Sequence, residues 1–166
     1  MGLVSLFTWL HDTSFSIWLR DSLWTEPIVE TIHVLSLTIF FGFAMLLDLR
    51  LLGVSMKDRR VAEVLRQLNP WLIWGLGIMT VSGILLFCGD PVSFYATTFF
   101  KAKMILMVVA GLNVLAFERV LGNKMETWDL GPATPTMAKV FAVVSICCWV
   151  AIIAAGRAIA YVLPPP

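Results

Sequence analysis

The chain has 166 residues, 59% of them hydrophobic and 14% charged, with a formal net charge of +1. A soluble domain carries about 25% charged residues, so a water-soluble fold would lack the polar surface to cover itself, and lipid is the natural solvent. No Lys/Arg cluster of the kind that neutralises phosphates is present, which excludes nucleic acid as a partner, and three cysteines without C-x-x-C or C-x-x-C-H exclude a zinc ribbon and covalent haem attachment.

The first 26 residues are too short in apolar run to cross a bilayer. Leu3, Val4, Leu6, Phe7 and Leu10 form a brief apolar patch, and Asp12-Thr13-Ser14 offers helix N-cap chemistry. Phe15, Trp18, Leu19 and Leu23 then recur at helical spacing while Arg20 and Asp21 face away. With Trp9, Trp18 and Trp24, this pattern predicts an amphipathic segment lying in the headgroup layer. Pro27, tolerated in a first helical turn, opens the first span.

Long uncharged runs follow, and a spanning helix needs about 20 mostly apolar residues. They predict four membrane helices at roughly 28–53, 70–89, 98–118 and 138–162. The polar loop KDRRVAEVLRQLNP has a helical pattern and ends where Pro70 begins the second span. The third loop, with its Gly and Pro, reads as irregular. Gly75, Met79 and Gly83 on the second helix, and Ala151 with Ala155 and Ala154 with Ala158 on the fourth, form small-residue stripes that let backbones approach closely in lipid.

The expected fold is an all-α integral membrane protein, an up-down-up-down four-helix bundle over residues 27–166, preceded by the amphipathic interfacial segment 1–26. The first and third loops, with the helix start at Lys139, hold eight Lys/Arg against four on the other side. The first and third loops are therefore expected in the cytoplasm and both termini in the periplasm of a bacterial inner membrane.

Ionisable groups within spans are costly and mark function. His33 lies in the outer half of the first helix, with Glu30 one turn above it and Ser36 about one turn below. Lys103 near the start of the third helix and Arg157 near the end of the fourth reach the same depth. A neutral imidazole in a dry bundle can ligate haem iron through one nitrogen while Glu30 or Ser36 takes the other N–H. Arg157 and Lys103 suit the two propionates, and Trp149, Phe40 and Phe41 can line the macrocycle. For a second iron ligand the candidates are His11, folded over the bundle mouth, Met104, Met107 or Lys103, with a five-coordinate iron as the other option. The competing reading makes His33, Glu30 and Arg157 a polar cluster that locks helix register.

The stretches ETIHVL (30–35), DLRLLG (48–53), SGILLF (82–87), FKAKM (100–104), GLN (111–113) and AAGR (154–157) together resemble an uncharacterised family of small bacterial four-span inner-membrane proteins, over essentially the whole chain. That resemblance implies fold and topology rather than chemistry. More distantly, His33 with Lys103 resembles the haem-binding four-span protoporphyrinogen oxidase family, and SFYATTFFKAK (93–103) the copper-resistance membrane domain. The N-terminal segment, Glu30 and Arg157 depart from the oxidase pattern.

The functional expectation is a b-type haem protein near the periplasmic face, passing electrons to or from quinone or a periplasmic redox partner, with assembly into a homo-oligomer or larger membrane complex. A haem-dependent oxidase of porphyrinogen or quinol type and a cofactor-free transporter or structural subunit are the alternatives.

Overall fold

A computed structural model of the chain describes residues 2–129 and 134–162. The described residues form helices joined by short turns, and four of the helices are long and apolar enough to cross a membrane, as the apolar runs predict. In chain order the helices are α1 (Leu3–His11), α2 (Ser14–Asp21), α3 (Thr25–Leu52), α4 (Val61–Gly89), α5 (Pro91–Ala96), α6 (Thr98–Val120), α7 (Met125–Trp128) and α8 (Thr136–Val162). A 3-10 turn at Gly122–Lys124 precedes α7. The expected division at residues 1–26 and 27–166 falls just inside the start of α3, and the closing PPP lies outside the described residues.

Each boundary has a local cause. Thr13 caps α2, its hydroxyl accepting the Ser16 N–H at 3.3 Å. α3 ends where Gly53 turns left-handed at φ 74°, a conformation glycine adopts without a Cβ penalty, and the Gly53 and Val54 N–H groups return to Arg50 and Leu49 carbonyls. Asp90 caps the short α5 by accepting the Ser93 N–H at 3.2 Å, with Pro91 at the first helical position.

α4 is longer than the run after Pro70 predicts. The loop segment before the proline belongs to the same helix, and Pro70 sits inside it. Proline in a helix interior costs about 3 kcal/mol through its missing N–H and ring clash. Two features offset this. Val61 and Val64 are almost fully buried, and Asp129 grips the helix start with both oxygens, accepting from Val61 N at 2.8 Å and Ala62 N at 2.9 Å. A carboxylate on the first N–H groups of a helix is favoured by charge-assisted bonding and by the helix dipole.

α3 packs tightly along α4, α6 along α8, and α3 against α8, whereas α4 and α6 meet chiefly through side chains, Phe87 stacking on Phe100 at 5.2 Å and Met79 sharing a core with Ala110. The stripe predicted on α4 carries the α3–α4 contact. A Cβ at Gly75 would stand 3.0 Å from Phe40 Cβ and 3.1 Å from Phe40 N, so only glycine fits that approach. One core gathers Phe40, Met79, Ala110, Cys148, Trp149 and Ile152. A second, around Leu51, Val61, Met125, Ala138 and Ala142, closes the end that carries α7.

α1 and α2 sit across the other end. Phe7 of α1 packs on Phe87 and Tyr95, at centroid distances of 5.4 and 4.8 Å. From α2, the buried Ser16 hydroxyl donates to the Cys88 carbonyl at 2.6 Å, and Arg20 donates to the Gly89 carbonyl at 3.2 Å. These side chains satisfy carbonyls that a helix C-terminus leaves without partners. Trp9, Trp18 and Trp24 remain exposed.

Candidate functional site

His33 points inward from α3 toward α4. Its Nδ1 lies 3.0 Å from Ser82 Oγ. The shortest contact of the Ser82 hydroxyl is with the Ile78 carbonyl at 2.7 Å; donating there, it accepts from the imidazole. The Met79 carbonyl, a second acceptor, also lies beside the ring. With that donation a neutral ring carries its proton on Nδ1 and its lone pair on Nε2. Gly83 makes room for this arrangement: a Cβ there would stand 3.1 Å from His33 Cε1.

Two charged groups lie within electrostatic reach of the ring, Lys103 and Glu30. Lys103 extends from α6 across to α8, its Nζ beside Gly156, where a Cβ would lie in ordinary contact at 3.6 Å. Among the described residues Lys103 has neither a hydrogen bond nor an ion pair. The bundle thus brings an unprotonated imidazole nitrogen and a half-buried ammonium to the same end.

The other expected site residues are placed differently. Ser36 is buried, but its hydroxyl donates to the His33 backbone carbonyl at 2.9 Å rather than to the ring. Glu30 is exposed. The imidazole N–H goes to Ser82 instead of either, because the ring faces α4 and not along its own helix. Arg157 is exposed and turns along α8 to Tyr161, donating to its hydroxyl at 3.3 Å with the guanidinium 5.5 Å from the ring centre. It is not drawn toward His33. Trp149 is buried edge-on against Phe40 at 4.6 Å, filling the core rather than leaving a slot. His11 is held at the α1–α2 surface, with Arg20 Nη1 at 3.1 Å and Asp90 Oδ1 at 3.5 Å from its Nδ1. Met104 and Met107 are exposed.

Two residues were not singled out from the sequence. Ser82, one serine in an apolar run, offers no signal of its own. Asp48 does: it follows His33 by fifteen residues, close to a whole number of helical turns, and so shares its face of α3. It is buried at the α7 end beside Ser145 of α8. Among the described residues no group of three or more His, Cys, Asp or Glu side chains gathers to hold a metal ion.

Fold and site together define a multi-pass helical membrane protein with an inward imidazole and, near the same end, an amine that has no partner among the described residues. The chain belongs to DUF6644, a family of unknown function whose model matches residues 7–162. No curated protein and no solved structure matches it.

Proposed function

We propose that the protein binds haem b through His33 and serves in electron transfer within a bacterial inner membrane. The observation that carries this reading is the pairing of the His33 imidazole, held at Nδ1 by Ser82, with the Lys103 ammonium, which has no partner among the described residues. A metal ion alone finds too few protein ligands here. A haem, which brings nitrogen ligands of its own, would need an imidazole from the protein and a cation for its carboxylates; His33 would hold the first place and Lys103 the second. Ser82 fixes the ring's tautomer and orientation, the part that outer-shell partners of ligating histidines play. Bound haem would supply one-electron chemistry between ferric and ferrous iron.

The Lys/Arg bias supports a periplasmic position for this end, with α1 and α2 in the headgroup layer and quinone or a periplasmic redox protein as the electron partner.

The deciding experiment is the absorption spectrum of the purified protein, oxidised and dithionite-reduced, before and after haem addition. The expected result is a Soret band with reduced α and β bands, lost in His33→Ala. A colourless protein that gains no such bands on haem addition removes the proposal.

A further inference from the structure

Asp48 carries a carboxyl group that the haem reading leaves unused. It stands on α3 toward the α7 end of the bundle and is 7% exposed. One turn toward His33, Ala44 packs on the first core; one turn the other way, Leu51 belongs to the second. The group is therefore held between two apolar layers. Ser145 of α8 is the polar side chain beside it. Among the described residues no Lys, Arg or His of any packed element lies within ion-pair distance of it. Arg50, the nearest cation in the sequence, is engaged elsewhere, donating to the Arg59 carbonyl at 2.7 Å and to the Thr134 hydroxyl at 3.3 Å.

A carboxylate is sustained in an apolar interior only by a bound cation or by a proton. Hard metal cations take several oxygen ligands, and among the described residues no cluster of acidic, histidine or cysteine side chains gathers to supply them. A proton needs one oxygen, and the acid O–H that results has the Ser145 hydroxyl as an acceptor. About 22 Å of α3 separates Asp48 from His33 at 1.5 Å per residue. Phe40, Met79 and Trp149 fill the bundle between them with apolar side chains. A proton on Asp48 therefore exchanges through the α7 end. There Leu51, Val61, Met125, Ala138 and Ala142 close over it, and the grip of Asp129 on the Val61 and Ala62 N–H groups fastens that layer.

We propose that Asp48 is a gated proton-binding site, whose carboxyl group holds one proton and exchanges it with water only when the layer at the α7 end parts. Binding joins a proton to one carboxylate oxygen, and release returns the carboxylate; no electron moves and no other bond is made or broken. The protonated form keeps the layer closed, whereas the anion draws water in and opens it. The site stands whether or not His33 holds haem.

The test is infrared spectroscopy of the full chain in phosphatidylcholine nanodiscs at neutral pH. The expected result is the carbonyl stretch of a protonated carboxylic acid. The band should shift when aspartate is labelled with heavy carbon at its carboxyl, a readout that needs no variant. It should be absent in Asp48→Asn and move to higher frequency in Ser145→Ala. On transfer to heavy water it should shift slowly in the parent and about 5–30-fold faster in Asp129→Ala, the change in opening that loss of the cap implies. A spectrum without an aspartic acid band, a band that survives in Asp48→Asn, or exchange equally fast in the parent and Asp129→Ala overturns the proposal. Saturable binding of radioactive sodium that is lost in Asp48→Asn also overturns it, by giving the site to a metal cation.

Discussion

Replacing Gly75 by alanine should loosen the bundle, while the same change two residues later should not. At position 75 the new Cβ would stand 3.0, 3.1 and 3.2 Å from Cβ, N and Cα of Phe40. Carbon atoms in contact prefer about 3.5–4.0 Å, so the shortfall is about 0.5 Å, and two of the three obstructing atoms are backbone that cannot rotate aside. α3 and α4 must part, and Phe40 must carry the shift into Trp149, 4.6 Å behind it. Overpacking of this kind costs about 1–3 kcal/mol. Gly77 meets nothing within 4 Å, so Gly77→Ala registers only the propensity gain of alanine over glycine, about 1 kcal/mol in water. That gain is common to both variants and cancels in their difference. Unfolding by SDS titration in mixed micelles, followed by circular dichroism, should place Gly75→Ala below Gly77→Ala by about 1–3 kcal/mol. Stabilities equal within about 0.5 kcal/mol, the ordinary scatter of surface changes, would refute the close approach at Phe40.

Asp129→Ala removes two bonds to the start of α4 and should cost about 1–2 kcal/mol in the same titration, with Asp129→Asn retaining part of it; no change would mean that the cap does not hold in the folded protein. Ser16→Ala leaves the Cys88 carbonyl without its hydroxyl, at a cost of about 1 kcal/mol, and should speed proteolysis between α2 and α3; an unchanged cleavage rate counts against the docked segment. Ser82→Ala should weaken haem affinity about 10–100-fold without abolishing it, the range for outer-shell partners, whereas Gly83→Ala should push the imidazole and alter the Soret position. A Ser82→Ala protein that loads haem as the parent does would mean that the serine does not orient the ligand.

The four spans are legible in the sequence because apolar length is a direct demand of the bilayer. The extra turns of α4 before Pro70 are not, since they depend on Asp129, 59 residues beyond the proline, closing over the helix start. Half of the site is legible too. His33 and Lys103 stand out as costly groups in apolar runs. Their partners are set by helix register, and the α3–α4 register is decided where Gly75 meets Phe40. Ser82 becomes the imidazole's neighbour only through that contact, while Glu30 and Ser36 share the helix of His33 yet take no part in its ring bonding. Arg157 carried a warning in its own sequence: Tyr161 stands four residues on, and such pairs meet on a helix surface. Asp48 carried one as well, by sharing the face of His33.

The clasp that Ser16 and Arg20 place on the last carbonyls of α4 has a bearing on how the chain is made. The clasp joins residues 72 and 69 positions apart, and a ribosome at 5–20 residues per second needs several seconds to deliver the later one. Until then α1 and α2 have no surface to settle on. Maturation of this protein therefore returns to its beginning: the earliest segment synthesised finds its seat only after the second hairpin arm has been inserted.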